Sequence, residues 1–373
     1  MGLPQHVAVE RALSEFRCGR PVIMTHAEER TIALPVDGMS DEQLAAFRQL
    51  CAPNPLRLVV TERRADSLGL AATGPIALTL NETDGAAEIL SLAVDAQVAR
   101  RLDGVALGAT ANAAIELAKV AQRLPALLVA PIGAAAAASS DPPLITIAAD
   151  AVAPFRAAAL GTLTVASEAN VPLQGGLSAR FVVFRDVIGG TATAVIVGAP
   201  DFSQPVPVRM HSACLTGDVF GSRRCDCGDQ LRLALARLDE QGGGVILYLR
   251  QEGRGLGLAN KMRAYQLQDE GLDTLDANAT LGFDDDERDY GIAGRMLELL
   301  GCKRVLLLTN NPAKLDGLVQ AGIEVSGRIP LQGAINADNR RYLTAKATRA
   351  GHKLDHLMTA LSEDEPVVDD RAS

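Results

Sequence analysis

The chain has 373 residues, 48% hydrophobic and 22% charged, a balance that excludes a disordered or fibrous protein and leaves room for two domains. Its net charge of −9 argues against bulk nucleic-acid binding and against attraction to an anionic membrane surface, so an anionic ligand would need a local cluster of cations. Aromatic residues are only 3% and Trp is absent, so the core has to be built from Ala, Leu, Val and Ile.

No uninterrupted apolar run reaches the roughly 18 residues of a membrane span, and no basic stretch followed by an apolar one opens the chain, so neither a spanning helix nor a signal peptide is expected. Six scattered cysteines fit a reducing, cytoplasmic setting better than a disulfide framework. Cys18, Cys51 and Cys302 are expected as small apolar side chains.

In chain order, residues 7–17 have the apolar spacing of an amphipathic helix and 21–25 read as a strand. Ser40 followed three residues later by Gln43 is a capping-box pattern that opens a helix. Residues 56–60, 75–80 and 126–130 are β-rich, and 110–122 carry a helical period. This alternation predicts an α/β layered domain. An Ala run after Gly133 and the stretch Ser139–Pro143 mark a boundary by composition, and the Ala-rich residues 144–160 are either a linker helix or the end of the first domain. Strand patterns then crowd together at 180–184, 193–197 and 206–210. A helix is predicted at 228–241, a strand at 245–250, helices at 257–270 and 289–300, a strand at 304–308, and helices at 313–321 and near 340–360. The tail after Glu363 is acidic and expected to be disordered. The division read from the sequence is a domain over 1–140, a linker over 141–164, a second domain over 165–360 and a disordered tail over 361–373, with both domains of mixed α/β class.

Three cysteines stand close together between His211 and Gln230: Cys214, Cys225 and Cys227. A thiolate trio suits zinc, and three protein ligands leave the fourth tetrahedral position for water, the pattern of a catalytic site. A structural zinc knuckle with a distant fourth ligand, or unrelated buried thiols, fit the spacing equally well, because Cys-x10-Cys-x-Cys is not a standard finger.

This stretch, together with Arg250–Lys261, Leu281–Tyr290 and the run Leu308-Thr309-Asn310-Asn311-Pro312, resembles the GTP cyclohydrolase II family over roughly residues 165 to 355. The resemblance implies the zinc enzyme that opens riboflavin biosynthesis: GTP is converted to a 2,5-diamino-6-ribosylamino-pyrimidinone phosphate with release of formate and pyrophosphate. It implies Cys214, Cys225 and Cys227 as zinc ligands, with a metal-activated water attacking C8 of the guanine. It implies Arg209, His211 and Ser212 in a triphosphate-contacting segment, Glu252, Gly253 and Arg254 at the nucleotide, and Gln230, Thr274, Thr309 and Lys314 as further nucleotide or phosphate contacts. Taken singly, each of these would be a solvated side chain. Tyr265 matches a position near the purine, although on its own it reads as a half-buried helix aromatic. Gly255-x-Gly257 followed by Asn260 fails the dinucleotide-binding fingerprint.

Asp286 and Arg288 lie in an acidic stretch that by composition is a solvated turn. The resemblance implies Asp286 as a proton acceptor and Arg288 as a nucleophile at the α-phosphorus. Guanidinium is almost always protonated, which favours electrostatic stabilisation as the role of Arg288. Magnesium is expected on the triphosphate. The family also implies a homodimer; that neither nucleic acid nor membrane is a partner is expected from the net charge. One departure stands out: the family usually has Glu where this chain has Ala213, next to the first cysteine.

The N-terminal half, through Gly19–Met24 and the run 58–70, resembles 3,4-dihydroxy-2-butanone-4-phosphate synthase. The acidic metal motif expected after Ile23 reads Thr25-His26-Ala27-Glu28-Glu29-Arg30 instead, and no His stands at 125–140 where the second metal motif is expected. This half therefore reads as a degenerate, inactive domain. Two alternatives remain beside the enzyme: a GTP-binding regulatory homologue impaired through Ala213, and a bifunctional protein whose N-terminal half still works.

Overall fold

A computed structural model of the chain describes residues 4–134, 142–331, 333, 335–336, 338–349 and 353. The acidic tail over 361–373, the end of the helix expected near 340–360 and most of the Ala run after Gly133 lie outside the described residues. The chain folds into two compact units. The first comprises Met1–Thr162, Asp186–Gly189 and Gln251–Arg288, and the second comprises Leu163–Arg185, Gly190–Arg250 and Asp289–Ser373.

The first unit is built on a seven-stranded sheet: β1 (Val22–His26), β2 (Glu29–Pro35), β3 (Arg57–Val60), β4 (Ile76–Thr79), β5 (Gly104–Ala106), β6 (Ala126–Pro131) and β7 (Ile145–Ala148), in the order β5-β4-β3-β6-β2-β1-β7. All pairs are antiparallel except β1 with β7. The Ala-rich stretch read as a linker or domain end thus begins with a strand of the first sheet, where Val22 stands opposite Ile145, and continues as a helix over Val152–Gly161. Alternation of side chains along a strand divides its apolar residues between two faces. Ile23, Ile32, Leu58 and Leu128 join one core cluster, while Val22, Met24, Val59 and Leu127 join the other.

The helix over Asp41–Cys51 starts at the anticipated capping box, with Gln43 N–H donating to Ser40 Oγ at 3.2 Å and Ser40 N–H to Gln43 Oε1 at 3.0 Å. The first core also takes in Leu256, Ala264, Leu267, Ala277, Leu281 and Phe283, from the helices Leu258–Asp269 and Thr274–Thr280 and the residues flanking them. The segment Gln251–Arg288 is therefore part of the first unit's apolar core. Thr61 Oγ1 donates to Gly282 O at 2.8 Å, fixing the turn that follows the second of these helices. Arg64, 1% exposed, ends the helix Ala86–Val94 by donating from Nε and Nη2 to Leu92 O and from Nη2 to Asp95 O. Burial pulls its pKa down to about 10, and these carbonyls satisfy the group that burial penalises.

The second unit holds a mixed seven-stranded sheet: β8 (Thr164–Pro172), β9 (Ser178–Arg185), β10 (Thr191–Gly198), β11 (Val206–Ser212), β12 (Gly243–Leu249), β13 (Arg304–Leu308) and β14 (Glu324–Ile329), in the order β14-β13-β11-β12-β10-β9-β8. The β8–β9–β10–β12 pairs are antiparallel, whereas β12–β11, β11–β13 and β13–β14 are parallel. The carboxyl ends of β11 and β13 therefore lie side by side, the edge of an α/β sheet where ligands are usually bound. Among the described residues no helix is long and apolar enough to cross a membrane. Cys51 and Cys302 are buried as anticipated, but Cys18 is exposed, because it follows the last turn of the helix Pro4–Arg17 rather than facing its apolar side.

Candidate active site

Strand β11 delivers the cysteine cluster. Its last residues are His211 and Ser212, and the chain then enters a tight π-type turn over Leu215–Val219, capped by Cys214. Gly217 N–H donates to Cys214 Sγ at 3.3 Å, and Asp218 N–H to Cys214 O at 2.7 Å. A second short loop brings Cys225 back, and Cys227 opens the helix Cys227–Glu240. The three sulfurs lie within 4.8 Å of one another, and Cys214 Sγ is 3.7 Å from Cys225 Sγ. Two thiolates on a tetrahedral zinc at about 2.3 Å would stand about 3.8 Å apart, so the donor set fits the metal. Among the described residues this is the only cluster of three or more His, Cys, Asp or Glu donors close enough to share an ion. The hydrogen bond with Cys214 pushes the Cys225 thiol up, with Cys227 acting in the opposite direction. A bound cation removes the mutual repulsion of such thiolates.

Two glycines make the approach possible. A Cβ at Gly217 would stand 2.9 Å from Cys225 Sγ and 3.0 Å from Cys214 Sγ, and one at Gly228 would stand 2.2 Å from Gly217 O. The turn and the start of the helix meet backbone to backbone, and the sulfurs close over a residue without a side chain.

Asp218 organises the base of the turn. Its Oδ2 accepts from Cys214 N–H at 2.9 Å and from Tyr248 Oη at 2.9 Å, and both carboxylate oxygens lie 3.0–3.1 Å from His211 Nε2. The His211 and Tyr248 rings stack at 5.5 Å between centroids. Burial lowers the His211 pKa, opposed by the bond to Asp218 and aided by the charges of Arg209 and Lys314. A neutral imidazole facing a carboxylate carries its proton on Nε2, so Nδ1 is left as the acceptor.

Arg209 and Lys314 are buried cations in this same unit. Arg209 Nη1 donates to Leu308 O at 3.0 Å and its Nη2 to Gln230 Oε1; Lys314 Nζ donates to Met210 O at 2.7 Å. The run Thr309-Asn310-Asn311-Pro312 makes the strand-to-helix turn after β13. Thr309 Oγ1 accepts from Asn311 N–H at 3.0 Å, Asn311 caps the helix Pro312–Gln320 through Ala313 N–H, and Pro312 occupies its first turn. The structure thus brings Arg209, His211, Ser212, the three cysteines, Gln230, Thr309 and Lys314 into one unit, on β11, in the turns that follow β11 and β13, and on the helices those turns lead into.

The remaining residues singled out from the sequence lie in the first unit. Glu252–Gly255 form a short turn in which Gly253 and Arg254 both take left-handed backbone angles, at φ 62° and 61°. Glu252 Oε1 pairs with Lys261 Nζ at 2.7 Å, and Lys261 lies 5.5 Å from the Tyr265 ring centroid. Thr274 begins the helix Thr274–Thr280 behind its cap, Asp273. Asp286 and Arg288 form a two-pronged ion pair, Nε to Oδ1 at 2.7 Å and Nη2 to Oδ2 at 2.6 Å. Gly217, Asp218 and Tyr248 had no motif of their own in the sequence. The only signal for them was proximity to the cysteines, and for Tyr248 not even that.

Residues 164–330 match the GTP cyclohydrolase II family. Over 360 residues the chain is 42% identical to the GTP cyclohydrolase-2 of Azospirillum brasilense, covering 92% of this chain and 93% of that one. It is 42% identical over 357 residues to the GTP cyclohydrolase-2 of Xylella fastidiosa strain Temecula1, covering 94% and 88%. A shorter stretch of 162 residues is 55% identical to the riboflavin biosynthesis protein RibBA of Bacillus mycoides, 43% of this chain and 41% of that one. The first two alignments run through the N-terminal half as well as the cysteine-bearing half. On this extent of identity, the chain belongs to the GTP cyclohydrolase II family of hydrolytic enzymes.

Proposed function

We propose that the chain hydrolytically opens the imidazole ring of GTP, releasing C8 as formate and the terminal phosphates as pyrophosphate, the first step of riboflavin biosynthesis. The observation that carries this is the convergence of Cys214, Cys225 and Cys227 around Gly217 at the carboxyl end of β11. These thiolates would hold zinc, which when bound supplies the Lewis acid that makes a water nucleophilic near neutral pH.

The other roles follow from the chemistry of each group. Arg209 and Lys314 bind phosphate oxygens, and Ser212, Gln230 and Thr309 are hydrogen-bonding contacts of the nucleotide. His211 is held neutral with Nε2–H toward Asp218, which leaves its buried Nδ1, without a partner among the described residues, to accept a hydrogen bond from the substrate. Glu252, Gly253, Arg254, Tyr265 and Thr274 are further nucleotide contacts. Asp286 is the proton acceptor. Arg288 stabilises charge on the α-phosphoryl group rather than attacking it, because a guanidinium gripped on two nitrogens by a carboxylate keeps its proton. Magnesium rides on the triphosphate through phosphate oxygens and water. The working protein is a cytoplasmic homodimer.

Replacing Arg288 with Ala should lower pyrophosphate release by roughly a hundredfold to a thousandfold, the usual loss when one charge-stabilising donor is removed. The Lys314→Ala variant should instead raise the KM for GTP more than it lowers kcat. Pyrophosphate and formate are followed together from GTP; an Arg288→Ala enzyme releasing pyrophosphate at the wild-type rate would remove Arg288 from the reaction.

The reading as an impaired GTP-binding homologue rests on Ala213. This residue is half-buried and its N–H donates to Leu249 O at 2.8 Å. Asp218 does not stand in for the missing carboxylate, because both its oxygens are engaged by His211, Tyr248 and Cys214 N–H. The polar residues around the site persist nonetheless, and buried polar groups are costly to keep without a ligand or partner. Introducing Glu by Ala213→Glu should therefore change the rate of formate release by at most about a hundredfold, under about 3 kcal/mol of barrier. A silent wild type beside an active Ala213→Glu variant would replace the enzyme with a binding protein.

A further inference from the structure

We propose that Lys119, in the N-terminal half of the chain, is a positioning residue that sets the loop bearing Asp286 and Arg288. The proposal rests on the reading of those two residues as parts of the reaction. Lys119 lies near the end of the helix Ala109–Val120, and its Nζ reaches Glu287 Oε1 at 2.7 Å and Asp284 Oδ2 at 3.2 Å. These carboxylates flank Asp286 on either side, and Arg288 follows directly. A single ammonium thus ties together the two shoulders of the loop. The Glu287 carboxylate also closes the loop from within, accepting from Asp284 N–H at 2.9 Å, while the Glu287 backbone N–H anchors the loop to Arg254 O at 3.0 Å. Arg63 adds an outer tie to Asp284 Oδ1 at 3.0 Å.

Burial decides which of these ties matters. The Arg63–Asp284 pair is about half exposed on both sides, and such pairs contribute little because water screens them. The Lys119 and Glu287 side chains are only 10% and 9% exposed. Burial alone would discourage the Lys119 charge, but the bond to Glu287 and the field of the nearby carboxylates outweigh it and raise its pKa, so the ammonium is retained. Removing it leaves Glu287 buried without its cation and facing Asp284, the other carboxylate that Lys119 bridged, and their like charges then push the two ends of the loop apart. A degenerate synthase-like half is in this way retained for geometry: it holds one wall of a reaction loop supplied by a later part of the chain.

The test uses the full-length, zinc-loaded protein and compares Lys119→Met, Lys119→Arg, Glu287→Gln and Arg288→Ala, alone and with Lys119→Met and Arg288→Ala combined. Displacing a reacting group by about 1 Å costs up to about a hundredfold, so Lys119→Met should lower kcat for pyrophosphate release roughly tenfold to a hundredfold. Zinc content and the KM for GTP should stay within about threefold, an estimate resting on the same positioning argument. Lys119→Arg, which can still bridge both carboxylates, should recover most of the rate. In the Arg288→Ala background, Lys119→Met should cost clearly less than in the wild type, because one of the two groups it positions is gone; a merely structural lysine would cost the same in both backgrounds. If Lys119→Met does not fold, Glu287→Gln decides, and it should be slowed in the same way. A folded, zinc-loaded Lys119→Met or Glu287→Gln enzyme with wild-type kcat overturns the proposal while Arg288→Ala remains impaired. Wild-type turnover by Arg288→Ala itself would instead overturn the underlying role of the loop.

Discussion

The variants Cys225→Ser and Cys227→Ser should each lose bound metal and formate release together. A Ser hydroxyl is a hard, weakly acidic donor where zinc takes soft thiolates, and with two sulfurs left the site no longer fixes the metal. Zinc should fall from about one per chain to near zero, and formate release by on the order of a thousandfold or more, since the water loses the shift of its pKa from about 15.7 to about 7. The fold should survive, because the residues around the cluster are tied by their own hydrogen bonds: Asp218 to Cys214 N–H, His211 and Tyr248, and Asp226 to Gln230. Metal analysis and a formate assay on the same folded samples check this, and full zinc in both variants would sink the assignment of the ligands.

A change that touches no ligand should do nearly as much. In Gly217→Ala the new methyl would lie 2.9 Å from Cys225 Sγ, 3.0 Å from Cys214 Sγ and 3.1 Å from Cys227 Cβ. Replacing Gly by Ala in helical backbone normally stabilises by roughly 0.5–1 kcal/mol, so propensity favours the variant and only the contacts oppose it. The contacts prevail at the cluster, because the atoms that must move are the donors themselves. Zinc affinity should drop at least as far as for the loss of a neighbouring orienting group, roughly tenfold to a hundredfold, with formate release falling in step. A competition titration with a coloured chelator, alongside a thermal melt, separates loss of metal from loss of fold. Unchanged affinity in a folded Gly217→Ala protein would mean that the sulfurs do not close over this residue.

What could be read beforehand was the part of the structure that local pattern dictates. The strands at β9, β10 and β11, the capping box at Ser40 and the cysteine cluster all follow from period, side-chain chemistry or spacing over a few residues. The place of Gln251–Arg288 in the first unit does not, since Leu256, Leu267, Leu281 and Phe283 look like any amphipathic set until their distant partners Ile89, Leu92 and Leu124 are known. Arg64 sits in the charged run Glu62-Arg63-Arg64, yet among the described residues it is the largest fully buried side chain, because the carbonyls it serves come from another helix. At the site, the thiolates and the cations were legible as residue types. Gly217 was not, because its function is the absence of a side chain at one point in space. The strand β7 was hidden by an Ala-rich composition that favours helix, which the pairing of Ile145–Ala148 with β1 overrides.

The most direct test is a zinc titration of the wild-type full-length chain. Protein stripped with a chelator is given increasing zinc in the presence of GTP and magnesium, and formate is measured at each step beside bound metal. Formate release should be absent from the stripped protein, should rise in proportion to zinc bound, and should level off at about one zinc per chain, the stoichiometry of a site with three thiolates and one open position. Formate released at full rate by metal-free protein, or none at saturating zinc, would contradict the assignment of this cysteine cluster as the centre that opens the guanine ring.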